Sequence, residues 1–327
     1  MPAISCFCPS TVFPLRSHLR YRGREEGPAW PSNLEPNPSR LIQFLATDAP
    51  VLPRRPKGWG GKNRMLPFHL LPESWRSYLA HRSIEPIQSG SGGALVYRIR
   101  DASGSVRFLK IAVEKYIEDL NQEIKRTTWL RAQRINVPSI LQATAHAEVA
   151  AVLMSSVDGQ PVEDCSGSPT DIINAVARGI AQLHALPVSS CPYNEDVSIR
   201  LARAQEEIAQ GRVSPREFHE RNQGVSPWDL LRHLQYTATN FREDVVVVHG
   251  DATFSNILVN SAGQIGFVDC GHCGKADRYV DLALISTEIE DHFGERWIEP
   301  FLTAYGLNPS SWDVSKARFF SDLYELF

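Results

Sequence analysis

"VVVVHGDATFSNILVNSAGQIGFVDCGH", residues 245–272, decides how the chain is read. Four valines run into His249-Gly250-Asp251, where the apolar pattern stops. Asn256 stands five residues after Asp251, and a hairpin-like pair of short apolar runs then ends at Asp269-Cys270-Gly271. Short apolar runs bounded by Gly, Asn and Ser read as strands. One Asp in a turn is ordinarily a cap or a solvated carboxylate. Two acids and an amide, each at a strand end and at this spacing, point to a shared chemical task.

Transfer of a phosphoryl group to an alcohol would employ such a set. It needs a base for the hydroxyl, cations on the phosphate oxygens and ligands for metal ions. His-x-Asp-x-x-x-x-Asn at 249–256 has the spacing of a kinase catalytic loop. Asp251 would take the hydroxyl proton and Asn256 would hold Mg²⁺. Asp269 follows the strand "IGFVD", where a kinase keeps its other metal ligand. Oxygen donors of this kind suit a hard cation.

Working outward, residues 84–157 are rich in strand patterns ("SIEPI", "ALVYRIR", "VRFLKIA", "AEVAAVLMSSV"), with a helix expected over about 114–134. From residue 170 helices dominate, as in "TDIINAVARGIAQLHAL" and "SPWDLLRHLQYTATNF". The expected architecture is α+β: a bilobal, protein-kinase-like fold with a small N-terminal antiparallel β lobe (65–157) and a larger helical C-terminal lobe (158–327). "VRFLKIA" places Lys110 inside an apolar strand, where a charge needs a partner. Glu123 on the next helix can supply it, as in the kinase pair that orients the α- and β-phosphates of ATP. A solvated lysine on an edge strand is the other reading. "SGSGGALVY" (89–97) offers Gly90, Gly92 and Gly93 to a phosphate, or simply makes a hairpin turn.

Composition narrows the class. The chain has 327 residues, 43% of them hydrophobic, enough for a sizeable core. No apolar run reaches the ~18 residues a membrane span needs, and no signal peptide is legible, so no membrane partner is expected. Six cysteines are too few for a disulfide scaffold at this length, and a reducing cytoplasm fits them. Residues 1–64 hold ten of the 22 prolines and a net charge of +6; the whole chain is −3, which leaves residues 65–327 at −9. This acidic part would repel nucleic acid and draw cationic ligands, although taken alone a charge of −9 reads first as an aid to solubility. Residues 1–64 read as disorder or as an extension ahead of a functional start at Met65.

These residues resemble the aminoglycoside phosphotransferases, particularly those acting on the 3'-hydroxyl of kanamycin and neomycin. "VVHGDATFSNILVN", "GFVDCGHCGKADRYVDLALI", "IAQLHALP", "CPYNEDVSIRLA" and the ending "LYELF" carry the resemblance, which spans about Pro72 to Phe327. It implies resistance by antibiotic inactivation, with ATP and Mg²⁺, in a monomer or homodimer. It implies Asp251 as the catalytic residue, Asn256 and Asp269 as metal ligands, and Lys110 with Glu123 as the phosphate-orienting pair. Ser255 and Ser91 would contact phosphate, and the Ser155 carbonyl and Val157 amide would bond the adenine. Glu217, Glu220, Asp291, Glu325 and Phe327 would meet the cationic acceptor.

Departures gather on the acceptor side. His272 and Thr287 replace expected arginines, and Tyr324 replaces a substrate-binding Asp. His219 and Arg221 enter the acidic loop "SPREFHERNQG". Each carboxylate lost from an ammonium ligand removes about 1.5–3 kcal/mol. A streptomycin 3''-phosphotransferase or another small-molecule kinase therefore stands as an alternative, and a non-catalytic nucleotide-binding module as a rival from another class. "CGHC" (270–273) matches a redox motif by letter, but its place inside Asp-x-Gly argues against that role. His184, on an amphipathic helix, reads as a packed structural histidine.

Overall fold

The computed structural model describes residues 67–87, 94–146 and 148–327. The reading of residues 1–64, the glycine loop and Ser91 lie outside those residues. The described chain divides into two compact units, residues 67–124 with 139–156, and residues 125–138 with 157–327. The division is not a single cut, because α2 (Ile117–Ala132) belongs partly to each.

The smaller unit holds α1 (Glu73–Ala80) and the antiparallel strands β1 (Ser83–Ile87), β2 (Leu95–Arg100), β3 (Val106–Val113), β4 (Ile140–His146) and β5 (Val149–Ser155). The sheet order is β1-β2-β3-β5-β4. Successive side chains of a strand face opposite ways, and β3 is covered on both sides. Leu109 and Ile111 join Trp75, Leu79, Tyr97 and Leu153 on one face. Ala112 joins Leu120, Val152 and Met154 on the other. Lys110 shares the parity of Ala112 and so points to the face that α2 covers. Pro86 lies in β1, an edge strand, where a missing N–H is tolerated.

α2 ends where Arg134 takes a left-handed conformation (φ 65°) and Ile135 N donates to Leu130 O at 3.1 Å. That bond is the six-to-one closure that satisfies an end carbonyl, and Ile135 is buried beside it.

The larger unit continues with β6 (Gln160–Pro161), α3 (Pro169–His184), α4 (Val197–Ala209), α5 (Pro227–Thr237), β7 (Val245–Val248), β8 (Ile257–Val259), β9 (Ile265–Phe267) and β10 (Gly274–Asp277). It ends with α6 (Tyr279–Phe293), α7 (Ile298–Tyr305) and α8 (Val314–Tyr324). The valine run is now explained. Val247 faces a core built on Ile172, Ile180, Phe254, Leu282 and Phe301. Val246 and Val248 face a second core with Leu231, Tyr279, Phe319 and Leu323. A strand buried on both faces needs an unbroken apolar run rather than alternation. Helix starts are capped by side chains: Asp196 accepts from Ile199 N, Ser226 from Asp229 N and Asp313 from Lys316 N. Among the described residues no helix is long and apolar enough to cross a membrane.

Candidate active site

The site of the larger unit grows from three strand ends. β8 and β9 form a hairpin in the register Ile257↔Phe267 and Val259↔Ile265. Its turn is pinned by Asn260, whose Oδ1 accepts from Ala262 N and Gln264 N at 3.0 and 2.9 Å. Val268 N donates to Asn256 O at 3.0 Å, adding one more rung. Asn256 and Asp269 therefore leave the hairpin at the same end. Asp269 then adopts a left-handed conformation (φ 57°, ψ 52°), turning the chain straight after the strand.

β7 delivers the third group. After Val248 the backbone N–H groups of His249 and Gly250 donate to Oδ2 and Oδ1 of Asp281, at 2.7 and 2.8 Å. Asp281 lies in the first turn of α6 and is fully buried. Burial alone would raise its carboxyl. The bond to His184, the charges of His184 and His249, and the Gly250 N–H outweigh that and hold it below the usual aspartate range. His184 Nε2 lies 3.0 Å from Asp281 Oδ2, and its Nδ1 lies 2.8 Å from the Tyr305 hydroxyl. His184 is thus the structural residue its helix pattern suggests, with the added task of fixing Asp281. His249 Nε2 lies 3.0 Å from Val268 O and ties β7's exit to the hairpin.

Gly250 has φ +87°, and a Cβ there would collide with the His272 carbonyl and lie 2.7 Å from an Arg200 nitrogen. Arg200 is buried and donates to Gly250 O at 3.1 Å. The positive φ, the close His272 carbonyl and the Arg200 bond constrain the path of the loop, and Asp251 follows it. Asp251 is half-buried. Asn256 Nδ2 donates to its Oδ2 at 2.9 Å and to its backbone carbonyl at 3.0 Å. The Tyr324 hydroxyl donates to its Oδ1 at 2.9 Å. Burial raises the Asp251 carboxyl above its ordinary value and the Asp269 charge adds to this, against His249, Tyr324 and Arg200.

The donor set fits Mg²⁺. Asn256 uses its amide N–H groups on Asp251, so its oxygen is the atom it can offer to a cation, and the Asp269 side chain is exposed. Among the described residues no group of three or more His, Cys, Asp or Glu is arranged to hold a metal ion. A cation on one amide and one carboxylate oxygen would fill its shell with water and phosphate, as Mg²⁺ does.

Behind this loop lies a cluster that the sequence did not announce. Glu195, fully buried, meets Arg126 at 2.7 Å and Arg203 at 2.9 Å. Burial would raise the Glu195 carboxyl, but Arg203, Arg126 and Arg200 outweigh it and hold it low. Arg203 also donates to His272 Nδ1 at 3.0 Å. Burial, with Arg203 and Arg200 beside it, lowers the imidazole to about 3. Position 272 therefore presents a neutral ring that accepts from an arginine of α4.

In the smaller unit Lys110 Nζ donates to Glu123 Oε1 at 2.7 Å, both residues being 9% exposed. The lysine is a paired interior charge, not a solvated edge residue. Ser155 closes β5, where its hydroxyl accepts from Ser139 N at 2.9 Å. Val157 belongs to the larger unit and packs closely over Gly266 of β9.

The other expected residues are more scattered. Ser255 is exposed, its hydroxyl 2.9 Å from that of Thr253. Glu217, Glu220 and Asp291 are exposed. Glu325 accepts from His219 N at 3.3 Å and from Asn222 Nδ2 at 3.2 Å. Phe327 packs against the second core. Thr287 donates to Ala283 O at 3.2 Å within its own helix. Tyr324 is the largest surprise, a departure in sequence that turns out to touch Asp251. Asp281, Arg200 and Glu195 were also missed; for Asp281 and Arg200 a buried charge on a helix was the available signal, whereas Glu195 stands in the loop before α4 and had none.

Fold and site together define an enzyme that moves phosphoryl groups. Residues 83–320 match the phosphotransferase enzyme family, and the chain belongs to it. An aminoglycoside 3'-phosphotransferase of Escherichia coli is 30% identical over 244 residues, 73% of this chain and 88% of that protein. A streptomycin 3''-kinase of Streptomyces griseus is 29% identical across 72% of this chain and 89% of its own. Among solved structures, an aminoglycoside 3'-phosphotransferase of type VIII superposes with a TM-score of 0.70 at 29% identity, covering 78% of this chain and 97% of that one. The aminoglycoside phosphotransferase APH(3'')-Id of Streptomyces rimosus, solved with ADP and streptomycin, gives 0.69 at 28% identity over 80% and 99%. The family and the α+β kinase-like fold expected from the sequence are both found.

Proposed function

We propose that this chain transfers the γ-phosphoryl group of ATP to an aminoglycoside hydroxyl, the 3'-hydroxyl of kanamycin- and neomycin-type drugs, and so confers resistance by inactivating them. The observation that carries this reading is Asp251, half-buried and fixed by Asn256, with its proton affinity raised. A carboxylate shifted that way is a better general base. As the acceptor oxygen attacks phosphorus, its proton passes to Asp251, and ADP leaves with the bridging oxygen. Asn256 and Asp269 would hold Mg²⁺, which neutralises charge on the phosphate oxygens.

Lys110, set by Glu123, is assigned to the α- and β-phosphates. Ser155 and Val157 are assigned to the adenine, and Ser91 and Ser255 to phosphate. Glu217, Glu220, Asp291, Glu325 and Phe327 are assigned to the acceptor. Glu288 supports a cationic acceptor: burial raises its carboxyl, and Asp291 and Glu163 push it further despite the Phe254 N–H and His292. Acids so crowded gain from an ammonium neighbour. The Cys191 and Cys273 thiols form no disulfide, which fits a cytoplasmic enzyme.

A second reading, transfer to the 3''-hydroxyl of streptomycin, is favoured by the streptomycin-bound relative and its TM-score of 0.69. An ADP-release assay with kanamycin, neomycin and streptomycin tests both. Turnover of kanamycin or neomycin is expected. Turnover of streptomycin alone would select the second reading, and turnover of none would overturn the antibiotic assignment.

A further inference from the structure

A base that is to take a proton from an acceptor must have an oxygen within hydrogen-bond reach of that acceptor's hydroxyl. Asp251 has two oxygens, and each already carries a donor. Asn256 Nδ2 is on Oδ2 at 2.9 Å, and the Tyr324 hydroxyl is on Oδ1 at 2.9 Å. The second contact is the one an acceptor alcohol would make, yet here a hydroxyl of the chain itself makes it, 73 residues further along.

The placement is built into the fold. Tyr324 ends α8 between Leu323 and Leu326, which are 1% and 0% exposed. On one side Asp322 accepts from Arg221 Nε at 2.7 Å and from Asn222 Nδ2 at 2.9 Å. On the other, Glu325 accepts from His219 N and Asn222 Nδ2. The backbone on both sides of Tyr324 is therefore anchored to residues 219–222. Burial and the Asp251 charge also push phenol ionisation well up, so Tyr324 keeps its proton and acts as a donor.

We propose that Tyr324 is a specificity-determining residue whose phenol holds the acceptor-hydroxyl position on Asp251, so that an acceptor must displace it to react. The inference rests on the phosphotransferase reading of Asp251. Two consequences follow from the geometry. Water is kept from Oδ1, so hydrolysis of ATP without an acceptor is suppressed. An acceptor exchanges one hydroxyl–carboxylate bond for another, and the cost falls on its binding rather than on the chemical step. Small alcohols that bring no other binding energy are excluded, while a polycationic acceptor meets the cost with its ammonium contacts.

The test is Tyr324→Phe, which removes one oxygen and keeps the ring. Acceptor-free hydrolysis of Mg·ATP should rise roughly tenfold to a hundredfold, the worth of one hydrogen bond to a carboxylate. KM for whichever of kanamycin, neomycin and streptomycin the wild type accepts should fall by a similar factor, with kcat nearly unchanged. A structural role alone would lower activity and would not raise hydrolysis. Tyr324→Leu, followed alongside by thermal unfolding, should move hydrolysis the same way.

No gain of hydrolysis in either folded variant would overturn the proposal, as would a phosphate found on Tyr324 after incubation with Mg·ATP, since the phenol would then be an acceptor. If the wild type accepts none of the three drugs, the antibiotic assignment fails. The hydrolysis measurement, which uses only Mg·ATP, still decides the role of Tyr324.

Discussion

Gly250 N donates to Asp281 Oδ1 at 2.8 Å across 31 residues of chain, and the same carboxylate takes His249 N on its other oxygen. One buried side chain thus sets the path of the backbone that presents Asp251. Asparagine at 281 would aim an NH₂ at one of two buried N–H donors. Asp281→Asn should lower kcat by roughly a hundredfold and stability by about 3 kcal/mol, the cost of leaving buried donors unsatisfied.

The same residue sets a pH dependence. Its folded carboxyl lies below the ordinary aspartate value of about 3.9. The unfolded state therefore binds a proton first as pH falls, and the stability this group adds is present above that value. It is lost as pH drops through the lower folded value. Urea unfolding followed from about pH 6 down to about pH 3, a window that starts above the usual carboxylate range and ends below it, should show a steeper loss for wild type than for Asp281→Asn.

Gly250→Ala should be among the most damaging small substitutions in the chain. The position has φ +87°, which costs a side chain about 1–2 kcal/mol before any contact is counted. The added carbon would also run into the His272 carbonyl, a backbone atom that cannot swing aside. Turnover should fall at least tenfold with a lowered unfolding temperature, whereas Gly211→Ala, at φ +67° with open space around it, should show only the conformational cost.

Lys110 and Glu123 separate stability from function. Lys110→Met leaves a buried carboxylate without its 2.7 Å partner and should cost about 3–5 kcal/mol. Adding Glu123→Leu removes that buried charge and should restore most of the loss, since an apolar pair can replace a buried ion pair. ATP turnover should stay low in both variants. Urea unfolding beside ADP release gives the comparison, and recovery of turnover in the double variant would remove Lys110 from the nucleotide site.

What could be read in the sequence followed local physics. The valine run and the hairpin declared themselves because strands buried on both faces need unbroken apolar residues. Lys110 declared itself because a charge in such a strand requires a partner. β4 was invisible: "ILQATAH" is a half-exposed edge strand with a register shift between Ile140 and Gln142, so its alternation is blurred. β10, "GKAD", has no apolar signal and exists through its pairing with β7, Gly274↔Val248 onward. The bond from Tyr324 to Asp251 and the arginines around Glu195 join residues far apart in sequence, and no spacing rule encodes them. His184 was legible as buried, but not its partners at 281 and 305.

Asn256 has two tasks on two atoms, and substitutions can separate them. Its amide nitrogen holds Asp251 at 2.9 Å, and its amide oxygen is the atom to which the proposed cation would bind. Asn256→Ala removes both, so turnover should fall by roughly a thousandfold, the range of lost positioning plus lost charge stabilisation. Asn256→Asp keeps an oxygen ligand and gains charge for the cation, but it loses the donor and sets a second carboxylate against Asp251. That variant should need less Mg²⁺ for half-maximal turnover than wild type while its kcat falls. Mg²⁺ titrations after chelator treatment, with ADP release as the signal, measure both quantities. A higher Mg²⁺ requirement in Asn256→Asp would show that the asparagine oxygen is not a metal ligand and that the residue serves only to hold Asp251.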